Sequence, residues 1–247
     1  MISCDLNCDM GEGIGNDEAI MPFITSVNIA CGYHAGDETT MRTTVMMAKK
    51  AGVAIGAHPS FLDRKNFGRT EIKDISPQNV YDLVAAQIKI IYKIAADCNT
   101  HLHHVKPHGA LYNMAAKDPA VSMAIAHAIY DCDKTLVLFG LSGSYSISEA
   151  KALGIKTASE VFADRTYQED GSLTPRTKPN ALIEDEEQSI KQVVQMIKNG
   201  TVTSTSGKEV PITAETICLH GDGKNAAAFA SAINNKLKLE KIDIRTM

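Results

Sequence analysis

No tryptophan occurs anywhere in the 247 residues, and aromatic side chains supply only 5% of them. That scarcity argues against base-stacking platforms and sugar-stacking grooves, although Tyr and Phe can serve in either. Net charge is small as well, −4 at neutral pH, so no basic face is offered to nucleic acid or to an anionic membrane. No apolar run approaches the roughly 20 residues that span a bilayer. The opening MISCDLNCD has neither the basic nor the apolar region of a secretory leader. Six cysteines, at 4, 8, 31, 98, 132 and 218, lack CxxC spacing and read as reduced thiols of a soluble, cytoplasmic protein. Cys4 and Cys8 have no zinc-knuckle partners, and no GxxxxGK[ST] phosphate loop occurs.

What is present is a chain 44% hydrophobic, enough for a sizeable core in one domain spanning residues 1–247. Strand-like runs cover Ile2–Asp9, Ser26–Cys31, Ala54–Ser60, His103–His108, Leu136–Leu141, Lys156–Asp164 and Thr216–Asp222. Between them lie helical patterns. In Pro77–Asp97, Val80, Leu83, Val84, Ile88, Ile91 and Ile94 recur at helical spacing. Asp118 and Pro119 predict a cap and a first turn. Gly154 and Gly200 predict helix ends, and Lys224–Leu237 reads as a final helix.

Strand–helix alternation calls for a parallel sheet with helical crossovers. A closed barrel and a doubly wound open sheet both fit seven strands. The polar residues favour the barrel, because they sit at the C-terminal ends of nearly all the strands: Asp5, Asn7 and Asp9, then His34, His58, Lys106 and His108, Glu160 and Asp164, His220 and Asp222. An open sheet gathers ligands at one switch point, whereas a barrel gathers them at one mouth. The expectation is an irregular, TIM-like α/β barrel of seven strands. Alternation then turns Asp5, Asn7 and Asp9 to one face, as it does His104, Lys106 and His108.

Each constellation has a functional and a structural reading. In DLNCDMGEGIGND, Asp5 or Asp9 can hold a cation or act as a base; otherwise the stretch is a strand end with a flexible turn. His34 and His58, in CGYHAG and GAHPS, are candidate metal ligands with Asp9, or else satisfied core histidines. His101 and His103 read as loop or surface. Lys106 can stabilise an oxyanion or form a Schiff base, or merely neutralise an acid across the barrel. Asn7 and Asn28 are candidate substrate contacts. In EVFADRTYQEDGSLTPRTKPNALI, Glu160, Asp164, Arg165 and Arg176 suggest a lid that clamps a carboxylate, unless the arginines are surface charges. His220 and Asp222 suggest proton transfer, or simply orient one another. Cys31 is a nucleophile or, more simply, a small buried thiol.

Taken together, DLNCDMGE, NIACGYHAGD, GAHPS, VKPHGALYN, EVFADRTY, the 171–183 loop and LHGDG resemble the LamB/YcsF family, in order from residue 5 to residue 223. The one departure is at Lys224, where proline usually follows one residue after HGD. The resemblance implies an irregular (β/α) barrel similar to glycoside hydrolase and deacetylase barrels. It also implies ATP-dependent hydrolysis of the cyclic amide 5-oxo-L-proline to L-glutamate, performed with 5-oxoprolinase subunits B and C. It assigns no residue roles. The residues themselves suggest Asp9, His34 and His58 for water or a divalent metal, Lys106 for developing oxygen charge, His108 and Glu160 as further catalytic candidates, and Arg176 for a carboxylate. Two alternatives are a metal-dependent, deacetylase-like hydrolase needing no ATP and a non-catalytic subunit that binds a small acid.

Overall fold

The computed structural model describes residues 2–219, 221 and 226–247. Seven parallel strands close into a barrel: β1 (Ser3–Met10), β2 (Ser26–Ala30), β3 (Ala54–His58), β4 (Leu102–Val105), β5 (Val137–Leu141), β6 (Lys156–Phe162) and β9 (Thr216–Leu219), with β9 pairing back onto β1. These match the seven runs expected from sequence. Two further strands, β7 (Thr201–Thr203) and β8 (Glu209–Pro211), form an antiparallel hairpin outside the barrel. A short β10 (Asp243–Ile244) pairs with Ser3 and Cys4 at the start of β1.

The helices are α1 (Asp17–Ile20), α2 (Glu38–Ala51), α3 (Pro77–Asp97), α4 (Gly109–Lys117), α5 (Pro119–Asp133), α6 (Tyr145–Ala152), α7 (Glu186–Asn199) and α8 (Ala226–Leu239). Their ends follow local chemistry. Asp37, Ser76, Asp118 and Asp185 each accept a backbone N–H of the first turn, a cap worth about 1 kcal/mol. Gly52 and Gly200 close α2 and α7 in the left-handed conformation. The buried stripe of α3, with Val80, Val84, Ile88 and Ile91, packs outside the barrel and contributes roughly 1.5–3 kcal/mol per side chain. Lys224, the expected start of the last helix, lies outside the described residues.

The barrel wall sorts its two faces by alternation. Leu6, Cys8, Val27, Ile29, Ile55, Ala57 and Val105 belong to the main apolar core under the helices, while Asp5, Asn7, Asn28, His104 and Glu160 are polar yet buried. Such an interior is tolerable only if every polar group is paired. Asp5 accepts hydroxyls from Thr25 and Ser26 (2.6 Å each) and from Thr216 (2.5 Å). The register sets Asp9 beside Asn28, Asn28 beside Gly56, and Gly56 beside His104. Because Gly56 has no side chain, His104 reaches across its strand to donate from Nε2 to Asn28 Oδ1 at 2.8 Å. Phe139 stacks on that ring at 4.1 Å.

Candidate active site

The barrel mouth opens into a cavity of about 520 Å³ lined by Asp9, Glu12, His58, Lys106, His108, Arg165 and Arg176 among others, a volume ordinary for small-molecule sites. At its floor stands Lys106, 2% exposed. Its ammonium donates to Glu160 Oε1 (2.8 Å), Asp9 Oδ1 (2.9 Å) and Asn7 Oδ1 (3.2 Å), with Cys218 Sγ at 3.0 Å. Burial alone would pull its pKa down, but the charges of Asp9, then Cys218 and Glu160, outweigh that and hold it well above its ordinary value. An ammonium so held is not the free amine that a Schiff base requires.

A second network fixes the carboxylates. Asn28 Nδ2 donates to Asn7 Oδ1 and Asp9 Oδ1 at 2.8 Å each, and Asn7 Nδ2 donates to Glu160 Oε1 (3.0 Å) and the Thr216 hydroxyl (2.7 Å). Asn7, Asn28 and Glu160 thus lie beneath the cavity, fully buried, with both amides and Glu160 Oε1 engaged by protein. Tyr112, pushed well up by burial and then by the Glu160 charge, stays a neutral phenol in the wall.

Beside this floor stands a cluster of histidines. His34 and His108 stack at 3.9 Å, and His58 meets both edge-on. His58 Nδ1 lies 2.6 Å from the Lys106 carbonyl, and His108 Nε2 lies 2.9 Å from the Phe67 carbonyl. Carbonyls only accept, so those two nitrogens carry hydrogens. His58 Nε2 then faces His108 Nδ1 at 2.9 Å and Asp9 Oδ2 at 3.3 Å. Burial, then the His58 charge, brings His34 down to about 3 and holds His108 well below the ordinary range. Neither ring nitrogen of His34 has a hydrogen-bond partner among the described residues. Glu12 brings Oε1 to 3.5 Å from His34 Nε2 and 3.9 Å from His108 Nδ1. One ligand atom from each of Glu12, His34, His58 and His108 lies within 4.8 Å of the others. A divalent metal therefore has a donor set of the right chemistry here.

The segment between β3 and α3 supports this cluster from behind. Gln87 of α3 accepts the Ser60 N–H at 2.9 Å and donates to its carbonyl at 2.8 Å, pinning the chain just past His58. Gly68, at φ +65°, leaves room for the rings: a Cβ there would lie 2.1 Å from Ser60 Oγ and 3.0 Å from His34 Cβ.

The structure brings Asp9, His34, His58, Lys106, His108 and Glu160 together at one mouth, with Arg165 and Arg176 on the cavity wall. Arg165 spends Nη2 and Nε on the Thr174 and Ala181 carbonyls (2.6 and 3.2 Å), fastening residues 163–183 into a folded loop. Asp164 accepts the Ile183 N–H through its own carbonyl at 2.8 Å and does not line the cavity. Cys31 is buried, and burial pushes its thiol up to about 12, as a packed thiol requires and a nucleophile does not. His220 and Asp222 lie outside the described residues. Sequence reasoning passed over Glu12, although it stands in the quoted DMGEG, one residue past the turn at Gly11. It also missed Phe67 and Gly68, for which no local signal exists.

No described helix is long and apolar enough to cross a membrane. The profile of the LamB/YcsF family matches residues 4–247. The 5-oxoprolinase A subunit of Brevibacillus brevis is 53% identical over 242 residues, covering 96% of this chain and 95% of that one. The lactam utilization protein from Thermus thermophilus superimposes with a TM-score of 0.92 at 37% identity, covering 100% of both chains. A family 4 carbohydrate esterase from Streptomyces lividans shares the fold alone, with a TM-score of 0.51 at 11% identity over 98% of this chain and 91% of that one, which agrees with the expected likeness to deacetylase barrels. A match from residue 4 to the last, in sequence and in fold together, means that this chain belongs to the LamB/YcsF family.

Proposed function

We propose that the chain is the A subunit of an ATP-hydrolysing 5-oxoprolinase, opening 5-oxo-L-proline to L-glutamate in the cytoplasm together with subunits B and C. The names carried by relatives that match it over nearly its whole length support this reading. The observation that carries the chemistry is the buried Lys106 ammonium, held between Asp9 and Glu160 at the floor of a cavity walled by Arg165 and Arg176.

An unstrained lactam is a poor electrophile, and its opened ring readily recloses, so hydrolysis must be driven. In the proposed sequence the lactam oxygen takes the terminal phosphoryl group of ATP, releasing ADP. Water adds to the ring carbon and the C–N bond breaks, with a proton passing to nitrogen. The acyl phosphate left behind is hydrolysed by a second water to carboxylate and phosphate. Two waters are consumed, and glutamate, ADP and phosphate are released.

Lys106 stabilises the charge developing on the lactam and phosphoryl oxygens. Asp9, which lines the cavity and touches both Lys106 and His58, takes the proton of the attacking water. His108 borders the same space, and His220 and Asp222 keep the proton-transfer role expected of them from sequence. Arg176 receives the substrate carboxylate. Asn7, Asn28 and Glu160 act as positioning residues. Arg165 holds the wall loop through Thr174 and Ala181. A chain without a phosphate loop fits nucleotide held jointly with the partners.

The test is glutamate release from 5-oxoproline by the A, B and C subunits together, with and without ATP. Full ATP-driven turnover by this chain alone would remove the partnership. Turnover that ignores ATP would favour the second reading, metal-assisted amide hydrolysis, to which the Glu12–histidine cluster lends specific weight.

A further inference from the structure

We propose that Glu12, His34, His58 and His108 form a binding site for one divalent first-row transition metal of the zinc type. The Lys106 and Phe67 carbonyls oblige His58 Nδ1 and His108 Nε2 to donate, so that in the unprotonated rings a metal requires both facing nitrogens are lone pairs. Those lone pairs meet at 2.9 Å with Asp9 Oδ2, another acceptor, 3.3 Å from His58 Nε2. His34 stacks on His108 with neither nitrogen bonded among the described residues. Two imidazole lone pairs pressed together in a buried site are unfavourable, and a metal ion between them removes the conflict.

The donor set selects the class of cation. Three neutral imidazoles and one carboxylate suit zinc and its neighbours better than magnesium or calcium, which prefer all-oxygen shells. The two carbonyls then act as the outer partners that fix ring tautomer in metal sites. Gly68 packs behind two of the rings, where a Cβ would lie 3.0 Å from His34 Cβ and 3.1 Å from His108 Cδ2, so the cluster is held from its far side. Asp9 stands apart from the set: the ligand atoms that converge within 4.8 Å come from Glu12, His34, His58 and His108, while Asp9 Oδ1 accepts from Lys106 and Asn28. Glu12, His58 and His108 also line the cavity, so the ion borders the space where substrate would sit.

The site stands independently of the reaction, so its test reads metal rather than turnover. The full chain is stripped with a chelator and titrated with Zn(II) and with Co(II). The expected result is uptake of about one ion per chain, visible d–d bands of nitrogen-ligated Co(II), and a melting temperature that rises with zinc. His34→Gln and His108→Gln should weaken binding by at least about tenfold, while His127→Gln, exposed on α5, should leave it unchanged. If either ligand variant fails to fold, the cobalt spectrum and melting shift of the unsubstituted chain decide. No stoichiometric uptake, cobalt bands without nitrogen ligation, or binding indifferent to His34 and His108 would overturn the site. So would imidazole NMR showing a proton shared between His58 and His108 in a chain that takes up no metal.

Discussion

Gly56 and His104 occupy one volume: a Cβ built on Gly56 would lie 2.1 Å from His104 Nε2. The imidazole thus fills the notch that the glycine leaves in its strand and hands its Nε2 hydrogen to Asn28, two strands away from its own. Gly56→Ala should cost about 1–3 kcal/mol through overpacking, read as a shift in urea midpoint. His104→Ala should cost stability too, yet the double variant should be less destabilised than the sum, with a coupling near 1 kcal/mol. Simple additivity would mean that the two sites do not share space.

Removing the Lys106 charge leaves Asp9 and Glu160 facing one another without their cation. Lys106→Met should lower stability by about 3–5 kcal/mol, the scale for breaking a buried ion pair. Adding Glu160→Gln should return part of that loss, while turnover by the assembled subunits stays abolished. Stability and turnover recovering together would deny Lys106 a chemical role.

Asp5 supplies a pH signature. Burial raises its pKa from the ordinary 3.8, against the lowering effect of the Ser26, Thr216 and Thr25 hydroxyls. The protonated form therefore favours the fold; its contribution is complete below that ordinary value and is lost as pH rises through the folded one. Asp5→Asn, neutral throughout, should gain stability relative to the unsubstituted chain as pH rises above the ordinary 3.8. A difference in urea unfolding free energy that stays flat as pH rises above that value would contradict the assignment.

Two glycines with positive φ separate conformational strain from collision. Gly15, at φ +90°, has nothing within 4 Å of its missing Cβ, whereas Gly68 has Ser60 Oγ at 2.1 Å. Gly15→Ala should cost on the order of 1 kcal/mol. Gly68→Ala should exceed it by a further 1–3 kcal/mol, about the cost of overpacking. Chemical denaturation of both variants settles the comparison.

Much of this architecture was legible in the chain. All seven barrel strands begin and end within a few residues of the expected runs, because alternation of apolar and polar side chains is a local signal. The same alternation turned Asp5, Asn7 and Asp9 inward. It could not say how deep each would lie: Asn7 and Asn28 look like substrate contacts in sequence but fill the barrel below the cavity, engaged with Asp9, Glu160 and Thr216. The β7–β8 hairpin was also missed, since its strands are three residues each. The placing of Phe67 at φ +56° depends on the His108 ring bonded to its carbonyl, a contact 41 positions along the chain. Pairings of that span leave no trace in any short window.

Residue 106 serves the mouth twice, by separable means. Its main chain orients the His58 imidazole, whereas its side chain joins the two acids. Exchanging the side chain leaves the peptide oxygen where it was. One position can therefore silence the ammonium while the histidine trio stays aligned, so the two halves of the mouth can be interrogated one at a time.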